Sequence, residues 1–137
     1  MGCNCEKCAG KMTGLAHIGI MVKDIDVSKE FYVDKLGFIL TDEVNMDNGV
    51  RLAFLNVGTC LLELVQTPDH SPRGAGAVDH VAIEVEDIET LVCKLVEKQI
   101  NFLTNEIAEV PILGGIKNIF FTGPDGERLE FFEYLKK

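Results

Sequence analysis

With 137 residues, 47% of them hydrophobic and 26% charged, the chain has the size and balance of one globular domain with its own core. A formal net charge of −9 argues against a nucleic-acid backbone as partner, which would require a basic stripe. No apolar run approaches the roughly 18 residues of a membrane-spanning helix, so no membrane partner is expected.

In chain order, the opening MGCNCEKCAGKM lacks the apolar stretch of a signal peptide, which makes the cytoplasm the expected address. Glu6 stands where a myristoylation signal needs Ser or Thr. Cys3, Cys5 and Cys8 fall within six residues, but a closed zinc site needs a fourth ligand that does not lie nearby, so residues 1–13 are read as a flexible tail with exposed thiols. The other two cysteines, Cys60 and Cys93, sit in apolar patterns and read as buried small hydrophobes.

LAHIGIMV, residues 15–22, alternates as a strand, with Ala16, Ile18, Ile20 and Val22 on one face and Leu15, His17, Gly19 and Met21 on the other. A single strand histidine is more often a core residue bonded to a neighbour than a ligand. Asp26 then leads into a helix over VSKEFYVDKL, closed by Gly37 in a left-handed cap. Strands are predicted over GFILTDEV, VRLAFLNVG and CLLELVQ. The polar, Gly/Pro-rich residues 67–77 form a linker in which His70 reads as solvated.

After the linker the same phrase returns. LAHIGIMVKDI (15–25) aligns with VDHVAIEVEDI (78–88) at an offset of 63, placing His17 on His80 and Gly19 on Ala82. Val81, Ile83 and Val85 form the apolar face of the second copy, and Ile88, Leu91, Val92, Leu95 and Val96 form a helical stripe behind it. Strands are predicted over INFLTNEI, GIKNIFFTG and ERLEFFEYL. LLELV (61–65) then matches RLEFF (128–132) and places Glu63 on Glu130 at an offset of 67, the difference taken up by the PDGE turn at 124–127. The expected fold is α+β: one domain over 14–137, made of two tandem βαβββ modules, 14–66 and 78–135.

Duplication thus presents His17, Glu63, His80 and Glu130, two imidazoles and two carboxylates that can meet across a pseudo-twofold axis. A divalent Ni, Co or Mn ion accepts that mixture with positions left for substrate oxygens, and Zn accepts it with fewer. Such a centre suits removal of a proton from carbon beside a carbonyl, with Glu63 or Glu130 as the base and no redox cofactor. An anionic small molecule could also be held locally by Lys23, Arg51, Lys117 or Arg128.

The segments H-I-G-I-x-V-x-D, D-H-V-A-I-E-V-x-D and G-P-D-G-x-x-L-E-F closely resemble the vicinal oxygen chelate (glyoxalase, bleomycin resistance, dioxygenase) superfamily over residues 14–134. The resemblance implies a curved mixed sheet around a metal cleft, a homodimer, and His17, Glu63, His80 and Glu130 as metal ligands. It is nearest to glyoxalase I, the lactoylglutathione lyase, which implies Glu130 as base, with Glu63 sharing the work, and a thiol adduct of methylglyoxal as substrate. Bacterial glyoxalases carry Arg and Asn where this chain has Met21 and Thr67, which points away from glutathione as the thiol. DEVNMDNGVRLAFLNVGTCLLELVQ (42–66) also resembles methylmalonyl-CoA epimerase, which implies an acyl-CoA substrate and Glu43 as a second base. A metal-free binding protein of the bleomycin-resistance type, and a ring-cleaving dioxygenase using two His and one Glu, are further alternatives within the superfamily.

Overall fold

The computed structural model describes residue 10, residues 15–69, residue 76 and residues 78–136. Cys3, Cys5, Cys8 and His70 lie outside the described residues, and with them the reading of the tail. Among the described residues no helix is long and apolar enough to cross a membrane.

The alternation of HIGIM becomes β1 (His17–Met21), with Ile18 and Ile20 packed against the core and His17 and Gly19 exposed. The helix that follows, α1 (Ile25–Lys29), starts earlier than expected: Asp24, rather than Asp26, is the N-cap, accepting from the backbone N–H groups of Asp26 and Val27. A capping residue stands just outside the helix, and Asp24 does so with extended backbone whereas Asp26 is already in the first turn. Over Glu30–Lys35 the helix widens into π-helical turns, closed by a bond from Leu36 N–H to Phe31 C=O. Each residue then turns through a smaller angle, so the consecutive Phe31 and Tyr32 both reach the core. Gly37 ends the helix at φ +83°, as expected of a left-handed cap.

β2 (Ile39–Asn45), β3 (Arg51–Val57) and β4 (Cys60–Gln66) complete the first module, in a sheet of order β1-β4-β3-β2 with β1 parallel to β4. The second module repeats it with β5 (Val81–Glu84), α2 (Ile88–Val96, capped by Asp87), β8 (Ile116–Thr122) and β9 (Arg128–Tyr134). Of the strand expected over INFLTNEI (100–107) only β6 (Asn101–Phe102) forms, and a further short strand, β7 (Ala108–Val110), follows it; both pair with β8. Between them the Thr104 hydroxyl donates to the Glu106 carbonyl and bends the chain out of the ladder.

Each module therefore keeps its own mixed sheet, rather than contributing to one continuous sheet, and β1 and β5, the strands that carry or follow the two histidines, are both edge strands. A single core joins the modules: Ile25, Tyr32, Leu55 and Leu64 from the first cluster with Ile88, Phe121, Leu129 and Phe131 from the second. Each such fully buried side chain contributes about 1.5–3 kcal/mol. The β8–β9 loop reinforces the junction. Asp125 accepts from Lys23 N–H at 2.8 Å, and Glu127 accepts from the hydroxyl of the buried Tyr32 at 2.8 Å. The GPDG turn thus works as a clamp between modules. Burial, reinforced by the neighbouring Glu127 carboxylate, pushes the Tyr32 phenol well above its ordinary value.

Cys60 is partly buried, but Cys93 is exposed, contrary to expectation. It falls beside the α2 stripe, whose inward positions are taken by Ile88 and Leu95.

Candidate metal centre

The face of each sheet turned away from the core carries one His–Glu pair. In the first module Gly19 stands opposite Glu63 across β1 and β4, and Phe54 stands opposite Glu63 across β3 and β4. In the second, Ala82 and Phe120 stand opposite Glu130 in the same two relationships. Small residues at 19 and 82 leave the carboxylates room: a Cβ on Gly19 would sit 3.4 Å from Glu63 Oε1. His17 Nε2 lies 3.8 Å from Glu63 Oε1, and His80 Nε2 lies 3.2 Å from Glu130 Oε1. Both imidazoles meet the phenylalanine edge-on, with ring centroids 6.3 Å apart for His17–Phe54 and 5.3 Å for His80–Phe120.

The structure brings the four expected residues together as two pairs. Among the described residues of one chain, no three His, Cys, Asp or Glu side chains are grouped as a metal site would require. In this chain each imidazole–carboxylate pair stands on its own sheet, and the two pairs do not meet.

The chemistry of the second pair fits a cation. Asp79 Oδ2 lies 2.8 Å from His80 Nδ1, and the hydrogen bond with His80, opposed by partial desolvation and aided by the Arg128 guanidinium, holds Asp79 below the usual carboxylate range. Ionised Asp79 accepts only, so in the neutral ring the proton sits on Nδ1 and Nε2 turns a lone pair toward Glu130 Oε1. Asn118 donates to the other oxygen, Glu130 Oε2, at 2.7 Å. A ring nitrogen and a carboxylate oxygen 3.2 Å apart can share one cation, a proton or a metal ion. Two donors each about 2.1 Å from one ion stand about 3.0–3.4 Å apart, so the separation suits a metal.

Of the cations considered for substrate, Arg128 stands beside this pair. It lies 5.0 Å from the Phe120 ring centroid and 3.4 Å from Asp79, and its buried Nε has no partner among the described residues. Arg51 is turned to Asp26 and Lys117 to Glu89. Glu43 lies opposite the fully buried Ala53, on the helix side of the first sheet, where it bonds Lys29. Glu63 pairs with Phe54 on the other side. Glu43 is thus no companion to Glu63.

Phe54, Asp79, Asn118 and Phe120 are the site residues that sequence reasoning missed. Asp79 was detectable as the acid adjoining His80. Asn118 was not, because its bond to Glu130 depends on the β8–β9 register.

Two βαβββ-type modules, each with a His–Glu pair on the sheet face turned from the core, define a class of duplicated α+β proteins. Residues 14–131 match the Glyoxalase/Bleomycin resistance protein/Dioxygenase superfamily, and the chain belongs to it. It is 36% identical to the Bacillus subtilis protein YwbC over 121 residues, covering 85% of this chain and 94% of that one. It is 34% identical to the lactoylglutathione lyase of Haemophilus influenzae over 127 residues, covering 87% and 91% respectively. Identity to the mitochondrial methylmalonyl-CoA epimerase of Mus musculus is 32% over 105 residues, 70% of this chain but 59% of that protein. The solved structure of SMU.1112c superimposes with a TM-score of 0.77 at 30% identity, covering 90% of this chain and all of that one.

Proposed function

We propose that the protein is a divalent-metal-dependent lyase of the glyoxalase I type, which moves a proton between adjacent carbons of the hemithioacetal of a small aldehyde and a thiol. The observation that carries this reading is the repetition of one His–Glu pair, with the same small and phenylalanine neighbours, on the open faces of both sheets. His17, Glu63, His80 and Glu130 would hold the ion, which supplies Lewis-acid stabilisation of charge on the substrate's oxygens. The two halves come together either within one chain or across a homodimer. One carboxylate takes the proton from the carbon bearing oxygen and returns it to the neighbouring carbon. Phe54 and Phe120 wall the site and limit the access of water. The likeness to a lactoylglutathione lyase along most of both chains supports this reading, and the likeness to methylmalonyl-CoA epimerase makes epimerisation of a carbon acid the second one. The placement of Glu43 on the helix side disfavours an epimerase that would use it as second base.

The test is deuterium uptake from D₂O by protein loaded with Ni²⁺ or Co²⁺, given methylglyoxal with a panel of thiols or, separately, methylmalonyl-CoA. Label in the product of one thiol adduct supports the lyase. Label in methylmalonyl-CoA alone reassigns the protein as an epimerase, and label in neither leaves a binding protein.

A further inference from the structure

A cavity of about 680 Å³ lies between the modules, running from the β3–β4 turn of the first to strand β5 of the second. That is the size of a small-molecule site. Its floor is apolar, made by Ile18 and Leu62 from one module and Ile83 and Leu129 from the other, all of them in the core or packed against it. These residues alternate with His17, Glu63 and Glu130 along their strands, so the cavity lies behind the faces that carry the His–Glu pairs. Tyr32 and Phe38, stacked with ring centroids 5.6 Å apart, add an aromatic wall.

The wall formed by β5 is a strand edge. Residues 81–86 line the cavity without a gap, so it follows the backbone rather than one face of the strand. β5 is the outermost strand of its sheet and pairs in parallel with β9, where Val85 donates its N–H to the Phe132 carbonyl. Val81 and Ile83 turn their backbone groups the same way, and Ala82, one step out of phase, turns its N–H and C=O to the cavity side. Glu84 and Glu86 bring two exposed carboxylates to the same wall. No Lys, Arg or His is among the residues that line the cavity.

We propose that this cleft binds an organic ammonium ion, with its aliphatic or aromatic body on the apolar floor and its charged end at the β5 wall. The ammonium donates to the Ala82 carbonyl and is attracted by the carboxylates of Glu84 and Glu86. A neutral molecule of the same shape gains only the apolar contact, and an anion is repelled by an acidic wall. The competing occupant is a second copy of the chain added to the β5 edge. A net charge of −9 on each copy opposes its approach to that wall and favours the cation.

The test is calorimetric titration of the full chain at neutral pH with phenethylamine, phenethyl alcohol and hydrocinnamate, which share a body and end in a cation, a neutral group and an anion. The amine should bind at least about 10-fold tighter than the alcohol, and the acid more weakly than either. Glu84→Gln with Glu86→Gln, at exposed positions that spare the core, should remove most of that margin. Ile18→Trp, which fills the floor, should weaken the amine and the alcohol alike. Cys60 lines the cavity and Cys93 is exposed outside it, so bound amine should slow alkylation of Cys60, read by mass spectrometry, and leave Cys93 unchanged. Equal binding of amine and alcohol, or Cys60 alkylated at the same rate with and without amine, overturns the proposal. A dimer in sedimentation that shields Cys60 and takes up no amine gives the cleft to a second copy, and also overturns it. Amine binding should survive treatment with a chelator, because the cleft lies behind the His–Glu faces, so failure of the lyase reading leaves it standing. Loss of the amine on chelation would place it on those faces instead and contradict the proposal.

Discussion

Tyr32 in the first module donates its hydroxyl to Glu127 in the second across 2.8 Å, and the Glu127 carboxylate is folded over Gly123 to make that reach. A Cβ on Gly123 would sit 2.3 Å from Glu127 Cδ, so any side chain there displaces the carboxylate and strands the buried phenol. Gly123→Ala should therefore destabilise the fold by about 1–3 kcal/mol in urea titrations. In a Tyr32→Phe background the same substitution should cost clearly less, because the stranded group is gone. Equal costs in the two backgrounds would show that the clamp is not the reason for the glycine.

The same pair sets an alkaline limit. Tyr32 ionises well above its ordinary value in the folded protein, held there by burial and by Glu127, whereas in the unfolded chain it ionises near pH 10. Its contribution to stability is complete below about pH 10 and is lost as pH rises from there toward the folded value, because the unfolded chain releases the proton first. Urea midpoints of the wild type should fall faster than those of Tyr32→Phe between about pH 9 and pH 11. Parallel curves would contradict this.

The helix cap gives a third expectation. Asp24→Ala should cost about 0.5–2 kcal/mol by removing the acceptor for two N–H groups of α1. Asp26→Ala loses ion pairs with Arg51 and Lys29 at an exposed, solvent-screened site and should cost less than the loss of the cap. Thermal melts of the two variants should rank in that order, and the reverse order would return the cap to Asp26.

How far the sequence carried the reading depended on the range of the interactions. Period-2 alternation around His17 and His80, the stripe Ile88–Leu95 and Gly37 are local signals, and the elements formed where those signals put them. The one-residue-in-two rhythm of INFLTNEI misled, because the Thr104 hydroxyl offers the backbone a bend that alternation does not reveal. Asp24 and Asp26 both satisfy the composition rule for a cap, and only backbone angles choose between them. The two His–Glu pairs could be read from the repeat. The support of Asn118 for Glu130 could not, nor could the position of Glu43 on the opposite face from Glu63, since both follow from strand register and the bulge between Leu40 and Asp42.

The central claim, that the duplicated pairs are two halves of one metal centre, is tested most directly by the metal content of protein purified without chelators. Wild type should carry about one divalent ion per chain, as expected of four ligands of two types. His17→Ala and His80→Ala, each folded by circular dichroism, should both lose most of it. Full occupancy retained in both variants would contradict the claim.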